Sequence, residues 1–166
     1  MSILVPVLIV LGTVIFMELA AAWIHEHVMH GRLGWGWHRS HHEPTEGHVE
    51  RNDLYSVVFA GISMAFFVAG SLWWQPLWWI GIGFCVYGVI YYIFHDGLVH
   101  QRWPFRYVPK SGYLRRIYQA HRMHHAVEGR EGCVSFGFVI VPPVARLRAE
   151  LRDKQGGALA RKRSEP

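Results

Sequence analysis

The 166 residues suffice for one domain; 51% are hydrophobic and 14% aromatic, and 17 Lys and Arg stand against 12 Asp and Glu for a net charge of +5. The apolar residues are gathered in long runs rather than amphipathic stripes, which excludes a soluble globular enzyme and reads as a membrane protein. The two cysteines, Cys85 and Cys133, both fall in apolar stretches; they read as buried small residues rather than a disulfide framework.

Taken in chain order, the first apolar run, Ile3 to Ile24, carries one charge, Glu18. It has the ~20 residues needed to cross a bilayer. Ala20-Ala21-Ala22 resembles a signal-peptidase site, but no Lys or Arg precedes Arg32. Without a basic leader the run reads as an uncleaved span. Glu18 is expected to face the bundle interior and find a partner there.

Gly31 to Asp53 is a short polar connection. Gly34-Trp35-Gly36-Trp37 places indoles at the interface, Pro44 ends a short helix over His38–His42, and Asp53 is a candidate N-cap for the next span. Leu54–Trp74 and Leu77–Phe94 are uncharged spans joined by the turn at Gln75-Pro76, with Trp73, Trp74, Trp78 and Trp79 as interfacial anchors.

Gln101 to Pro109 mixes basic and aromatic residues. Next to three spans that mixture suits a segment along lipid headgroups better than a nucleic-acid surface. From Ser111, a candidate N-cap, a helix runs to His125 with Leu114, Ile117, Tyr118, His121 and His125 on its apolar face. Cys133–Val144 is too short to span and is broken by Pro142-Pro143, so it reads as a buried or re-entrant segment. Residues 1–150 form the membrane domain, and 151–166 are expected to be a polar, disordered tail.

The 17 basic residues all lie between Gly31 and Asp53 or after His100. The positive-inside tendency places both regions in the cytoplasm and the N-terminus outside, in the inner (cytoplasmic) membrane. The expected fold is therefore all-α, a three-span helical bundle with a cytoplasmic, histidine-rich cap.

Ten of the 12 histidines form a pattern. His38, His41 and His42 repeat the spacing of His121, His124 and His125, with imidazoles at i, i+3 and i+4 on one helix face. Each cluster follows a looser pair, His25 and His30 or His95 and His100. The topology brings all ten to one depth as two half-sites of five. Neutral imidazole is a ligand for Zn, Cu, Fe and Ni, and ten exceed what one ion coordinates, so two ions are expected. The looser pairs are spaced i, i+5, about 140° apart on an α-helix, and either serve different ions or bracket one. His27 and His48 fall outside the pattern and read as non-ligands. Glu26, Glu43, Asp96 and Glu128 adjoin ligands and are candidates to orient imidazoles through the free ring nitrogen, Asp96 first among them. No catalytic residue beyond the ligands is singled out.

These boxes resemble those of the membrane histidine-rich di-iron hydroxylases and desaturases, with HxxxxH and HxxHH motifs at the cytosolic ends of spans. The longer strings HEHVMH from His25, GWGWHRSHHE around His38, NDLYSVVFA from Asn52, HDGLVHQRWPFRY from His95 and YQAHRMHHAVEGREGCVSFGF from Tyr118 are similar to those of bacterial β-carotene 3-hydroxylases. That resemblance runs to about Val144. It implies a non-haem di-iron monooxygenase inserting oxygen from O2 at C3 of β-ionone rings, taking β-carotene through β-cryptoxanthin to zeaxanthin, with ketolated carotenoids accepted by relatives. The implied cofactors are two iron ions, with zinc able to replace them in purified material. The implied partners are a carotenoid drawn from the bilayer, membrane lipid and a separate ferredoxin-like electron donor, since no dinucleotide, haem or flavin motif occurs. Arg115, Arg116 and Arg122 are candidates to dock that donor.

Three other readings stand beside this one. A related enzyme would act on a fatty-acyl chain or sterol. A metal carrier would need ionisable residues through the depth of the spans, and a structural zinc module would unfold on losing a ligand.

Overall fold

The computed structural model describes residues 3–43 and 49–164, with side chains through 157. Among the described residues all the regular structure is helical. Three helical stretches, Leu4–Met29, Arg51–Leu72 and Pro76–Val99, are long and apolar enough to cross a membrane, so the chain is a membrane protein. Their hydrophobicity is nearly uniform around the helix, so large apolar side chains such as Leu8, Phe16, Val57 and Val89 remain exposed. Such a surface is stable only against lipid.

The first span is α1 (Leu4–Ile24) continued by a π-helical turn, His25–Met29. The second is α3 (Leu54–Leu72), entered through the 3-10 turn Arg51–Asp53; the third is α4 (Pro76–Tyr91) continued by a π-helical segment, Tyr92–Val99. Pro76 stands in the first turn of α4, where its missing N–H costs nothing. Between the first two spans lies α2 (Trp35–His42), and α5 (Gly112–His124) and α6 (Val144–Ser164) complete the chain. The α4 helix packs against both α1 and α3. Glycine permits the close approach: a Cβ on Gly83 would stand 2.5 Å from Thr13 of α1, and one on Gly70 2.4 Å from the backbone of Trp78.

Several expectations change in detail. Ser111 and Asp53 occupy N-cap positions but neither side chain caps its helix; the Asp53 carboxylate instead accepts the Glu50 N–H and pairs with Arg102. Glu43 is extended, as the residue before a proline must be, while Pro44 itself lies outside the described residues. Leu114 is exposed, and the buried face of α5 is Ile117, Ala120, His121 and His124. Residues 151–164, expected to be disordered, continue α6; Leu147 and Leu151 on that helix pack with Ile117, Val134 and Val141, and the stretch is rich in the helix formers Ala, Leu, Arg and Lys. The segment from Gln101 does not simply lie along headgroups: Arg102 turns inward to three carboxylates, and Trp103 packs where Gly97 leaves room.

The stretch 133–143 has no regular structure, yet Cys133, Val134, Phe138 and Val141 are buried. Glu18 explains how unpaired backbone is tolerated there. Its Oε1 accepts the N–H groups of Phe138, Val139 and Ile140 at 3.1, 2.8 and 2.7 Å, and its Oε2 accepts the Tyr87 hydroxyl at 2.8 Å. One buried carboxylate in the first span thereby fastens the returning loop into the bundle.

Candidate metal centre

The ten patterned histidines converge at the ends of the first and third spans, between α2 and α5. They do not divide as the motifs divide. In the first cluster, Nε2 atoms lie 3.1 Å apart for His25 and His38, 3.2 Å for His30 and His38, 3.2 Å for His38 and His42, and 3.1 Å for His30 and His124. In the second, the separations are 3.0 Å for His41 and His95, 3.1 Å for His100 and His121, and 3.0 Å for His121 and His125. Each HxxHH motif therefore gives its first and third histidines to one cluster and its middle histidine to the other. Helix geometry accounts for this: i and i+4 are about 40° apart, whereas i+3 swings about 60° the other way.

The looser pairs are resolved by the π-helical turns. His30 N–H bonds His25 C=O, and His100 N–H bonds His95 C=O, both at 3.0 Å. Winding i→i+5 returns residue i+5 to the face of residue i. Thus His25 and His30 share one cluster and His95 and His100 the other, rather than standing about 140° apart as an α-helix would hold them.

The hydrogen bonds behind the rings fix their tautomers. Nδ1–H of His25 donates to Phe136 C=O, of His30 to Arg130 C=O, of His42 to Val127 C=O and of His124 to Val134 C=O. His38 donates to Asn52 Oδ1, His41 to Glu50 and His95 to Asp96. A ring whose proton is held at Nδ1 presents a lone pair at Nε2. In the pairs His25/His38, His30/His124 and His41/His95 both nitrogens are lone pairs at hydrogen-bond distance, an arrangement that repels unless a cation lies between. This donor set fits two transition-metal ions.

Burial, reinforced by neighbouring imidazoles, keeps the rings neutral and ligand-competent. It lowers His38 to about 3 and His30 to about 4, against the unusual help of their hydrogen bonds, and holds His41, His121 and His124 well below the ordinary histidine value. His100 falls to about 3 through burial and the nearby Arg102. The Cys133 sulfur lies near His30, His42 and His124; burial pushes its thiol up to about 11, so it packs there as a neutral group.

Ser135 has φ of 60°, a conformation costly for a residue with a side chain. It stands between Val134 and Phe136, whose carbonyls receive His124 and His25. The strained residue lies between the two carbonyls that face one cluster.

Of the four carboxylates singled out by position, Asp96 bonds His95 at 2.7 Å. Glu26, Glu43 and Glu128 are exposed, and Glu43 pairs with Arg39 instead. Glu50, Asn52 and the four carbonyls went unforeseen. Glu50 and Asn52 lie 9 and 14 residues from the histidines they serve, and a backbone carbonyl leaves no mark in a sequence. His27 is exposed and stacks on Trp23, and His48 lies outside the described residues. Trp35, expected at the interface, packs against His30 and His42.

Beside the histidines the spans enclose a largely apolar cavity of about 330 Å³. It runs from Ser63 and Cys85 in mid-span to Tyr55, Tyr91, Asp96 and Phe138. Tyr91 stacks on His95 with ring centroids 4.4 Å apart, and Phe138 on His25 at 5.2 Å.

The fatty acid hydroxylase family matches residues 10–142. The chain belongs to the fatty acid hydroxylase family. Within this hydroxylase family it is 60% identical to a beta-carotene hydroxylase of Paracoccus sp. strain PC1, over 92% of this chain and 93% of that protein. It is also 60% identical to a beta-carotene hydroxylase of Pantoea ananas, over 90% of this chain and 85% of the relative. No solved structure matches the chain.

Proposed function

We propose that the protein is a carotenoid hydroxylase that introduces a hydroxyl at C3 of β-ionone rings, converting β-carotene through β-cryptoxanthin to zeaxanthin. The observation that carries this reading is the apolar cavity within the spans, which ends on the aromatic rings stacked against His25 and His95. Relatives at 60% identity bear the name beta-carotene hydroxylase.

Two iron ions held by the ten histidines supply, when bound, the two-electron chemistry that reduces O2 with two external electrons and two protons, leaving one oxygen in the product and one in water. The protein's own residues do the rest. Carbonyls, Asn52, Glu50 and Asp96 fix seven of the imidazoles by their Nδ1–H. Apolar walls exclude water and seat the terminal ring, while a cavity of about 330 Å³ leaves the long polyene in the bilayer that delivers it. Tyr91 and Phe138 stand between ring and ligands and limit which carbon approaches.

The distribution of Lys and Arg supports a cytoplasmic site in the inner membrane, with the N-terminus outside. Electrons then arrive from a soluble, ferredoxin-like donor. Arg115 and Arg122 are exposed on α5 and suit an acidic partner, whereas Arg116 is committed to the carbonyls of Val141 and Pro142.

Expression in a β-carotene-producing bacterium tests the proposal. β-Cryptoxanthin and zeaxanthin should appear. An unchanged carotenoid profile alongside a newly hydroxylated or desaturated acyl lipid or sterol would transfer the chemistry to that substrate class.

A further inference from the structure

The two clusters are alike in their donors and unlike in what stands behind them. Behind the first, four Nδ1–H groups meet backbone carbonyls and the fifth, of His38, meets the Asn52 amide; among the described residues every one of these acceptors is uncharged. Behind the second, His41 donates to Glu50 at 2.9 Å and His95 to Asp96 at 2.7 Å. Arg102 ties the two carboxylates together, lying 2.9 Å from Glu50, 2.9 Å from Asp53 and 3.8 Å from Asp96. Three carboxylates face one guanidinium in this network, and with Arg122, whose charge also reaches His100, a surplus of one negative charge remains; among the described residues no carboxylate accepts from a ring of the first cluster.

The Glu50, Asp96 and Arg102 side chains are only 11, 17 and 19% exposed, so water screens them weakly. A carboxylate that accepts an imidazole N–H makes the opposite nitrogen a stronger donor. Fixed negative charge nearby further favours the more highly charged state of a bound ion. Both effects act on the same cluster.

We propose that Glu50 and Asp96, fixed by Arg102, make the ion bound with His41 and His95 the first of the two to be oxidised, so that the ions are electronically inequivalent. This rests on the two-iron reading above. Glu50 and Asp96 are positioning residues: they act through His41 and His95.

The test uses full-length protein in lipid nanodiscs, loaded with 57Fe(II) under anaerobic conditions and studied by Mössbauer spectroscopy and stepwise redox titration. The diferrous protein should give two quadrupole doublets of equal area, and one-electron oxidation should convert only one of them. Glu50→Gln and Asp96→Asn should perturb that doublet and raise the lower potential while leaving the upper one in place; Asn52→Ala, behind His38, should perturb the other doublet. A variant that keeps a single iron is read from the surviving doublet: survival of the late-oxidising one agrees with the proposal, and survival of the early-oxidising one overturns it. A single doublet for two wild-type irons overturns it without any variant, as does a carboxylate variant holding two irons with both doublets and both potentials unchanged or moved equally. Binding of fewer than two irons by wild-type protein refutes the two-iron reading instead.

Discussion

His41 and His42 are neighbours in the chain, yet they serve opposite clusters: Nε2 of His41 lies 3.0 Å from that of His95, and Nε2 of His42 lies 3.2 Å from that of His38. The two HxxHH motifs are therefore interleaved. His41 crosses to the cluster built by the third span and α5, and His124 crosses the other way.

Interleaving makes a prediction about metal content. His41→Ala and His95→Ala should weaken the same site, so the double variant retains about one ion per chain. His41→Ala with His42→Ala strikes both sites and should weaken the binding of both ions, although the residues are adjacent. Metal analysis after desalting separates these outcomes, because a division by motif would spare one site in the second pair.

Glu18 fastens the buried loop to the first span. Glu18→Ala strands three backbone N–H groups and the Tyr87 hydroxyl, and should cost about 3 kcal/mol or more. Glu18→Gln keeps an acceptor for the N–H groups and should recover much of that loss. Unfolding in detergent, followed by near-ultraviolet circular dichroism, compares the three proteins; equal stability of Glu18→Ala and wild type would count against the fastening role.

Ser135 is a place where glycine should do better. Ser135→Gly removes the penalty of φ 60° and should stabilise the fold by up to about 1 kcal/mol, with metal content intact. Ser135→Val should lose about 2 kcal/mol and metal together, because the carbonyls of Val134 and Phe136 turn away from His124 and His25.

Acid should destabilise the metal-free protein. Burial holds His30 at about 4 and His38 and His100 at about 3 in the folded chain, against ~6.5 when unfolded. The unfolded state therefore binds more protons between those values. Stability is level above pH ~6.5 and falls as pH drops from there toward 4 and 3, by about 1.4 kcal/mol per pH unit for each such histidine. Protons also compete with the ions for the same nitrogens, so metal release should follow the same direction. A melting temperature that rises between pH 7 and pH 5 would contradict the neutral, buried state of these rings.

Much of this organisation is legible in the sequence because membrane spans and histidine boxes are local signals. Uncharged runs announce Leu54–Leu72 and Pro76–Tyr91, and Lys and Arg bring the histidines to one end. What escapes is non-local or carried by the backbone. The i, i+5 spacing of His25 and His30 looks divergent on an α-helix and becomes convergent only after π winding. Glu50 is remote in sequence from His95's partner Asp96, and Arg102 joins them. Besides the Tyr87 hydroxyl, the Glu18 partners are backbone N–H groups 120 residues and more away, which no side-chain pattern encodes.

Purified protein reconstituted with Fe(II) and supplied with β-carotene in lipid, a reductant and 18O2, with bound iron measured on the same sample, tests di-iron hydroxylation of the carotenoid. About two irons per chain are expected, with zeaxanthin carrying an 18O label in each new hydroxyl, lost when iron or oxygen is withheld and in His124→Ala with its spans still inserted. Zeaxanthin formed without 18O, or formed equally well by protein stripped of iron, would contradict it.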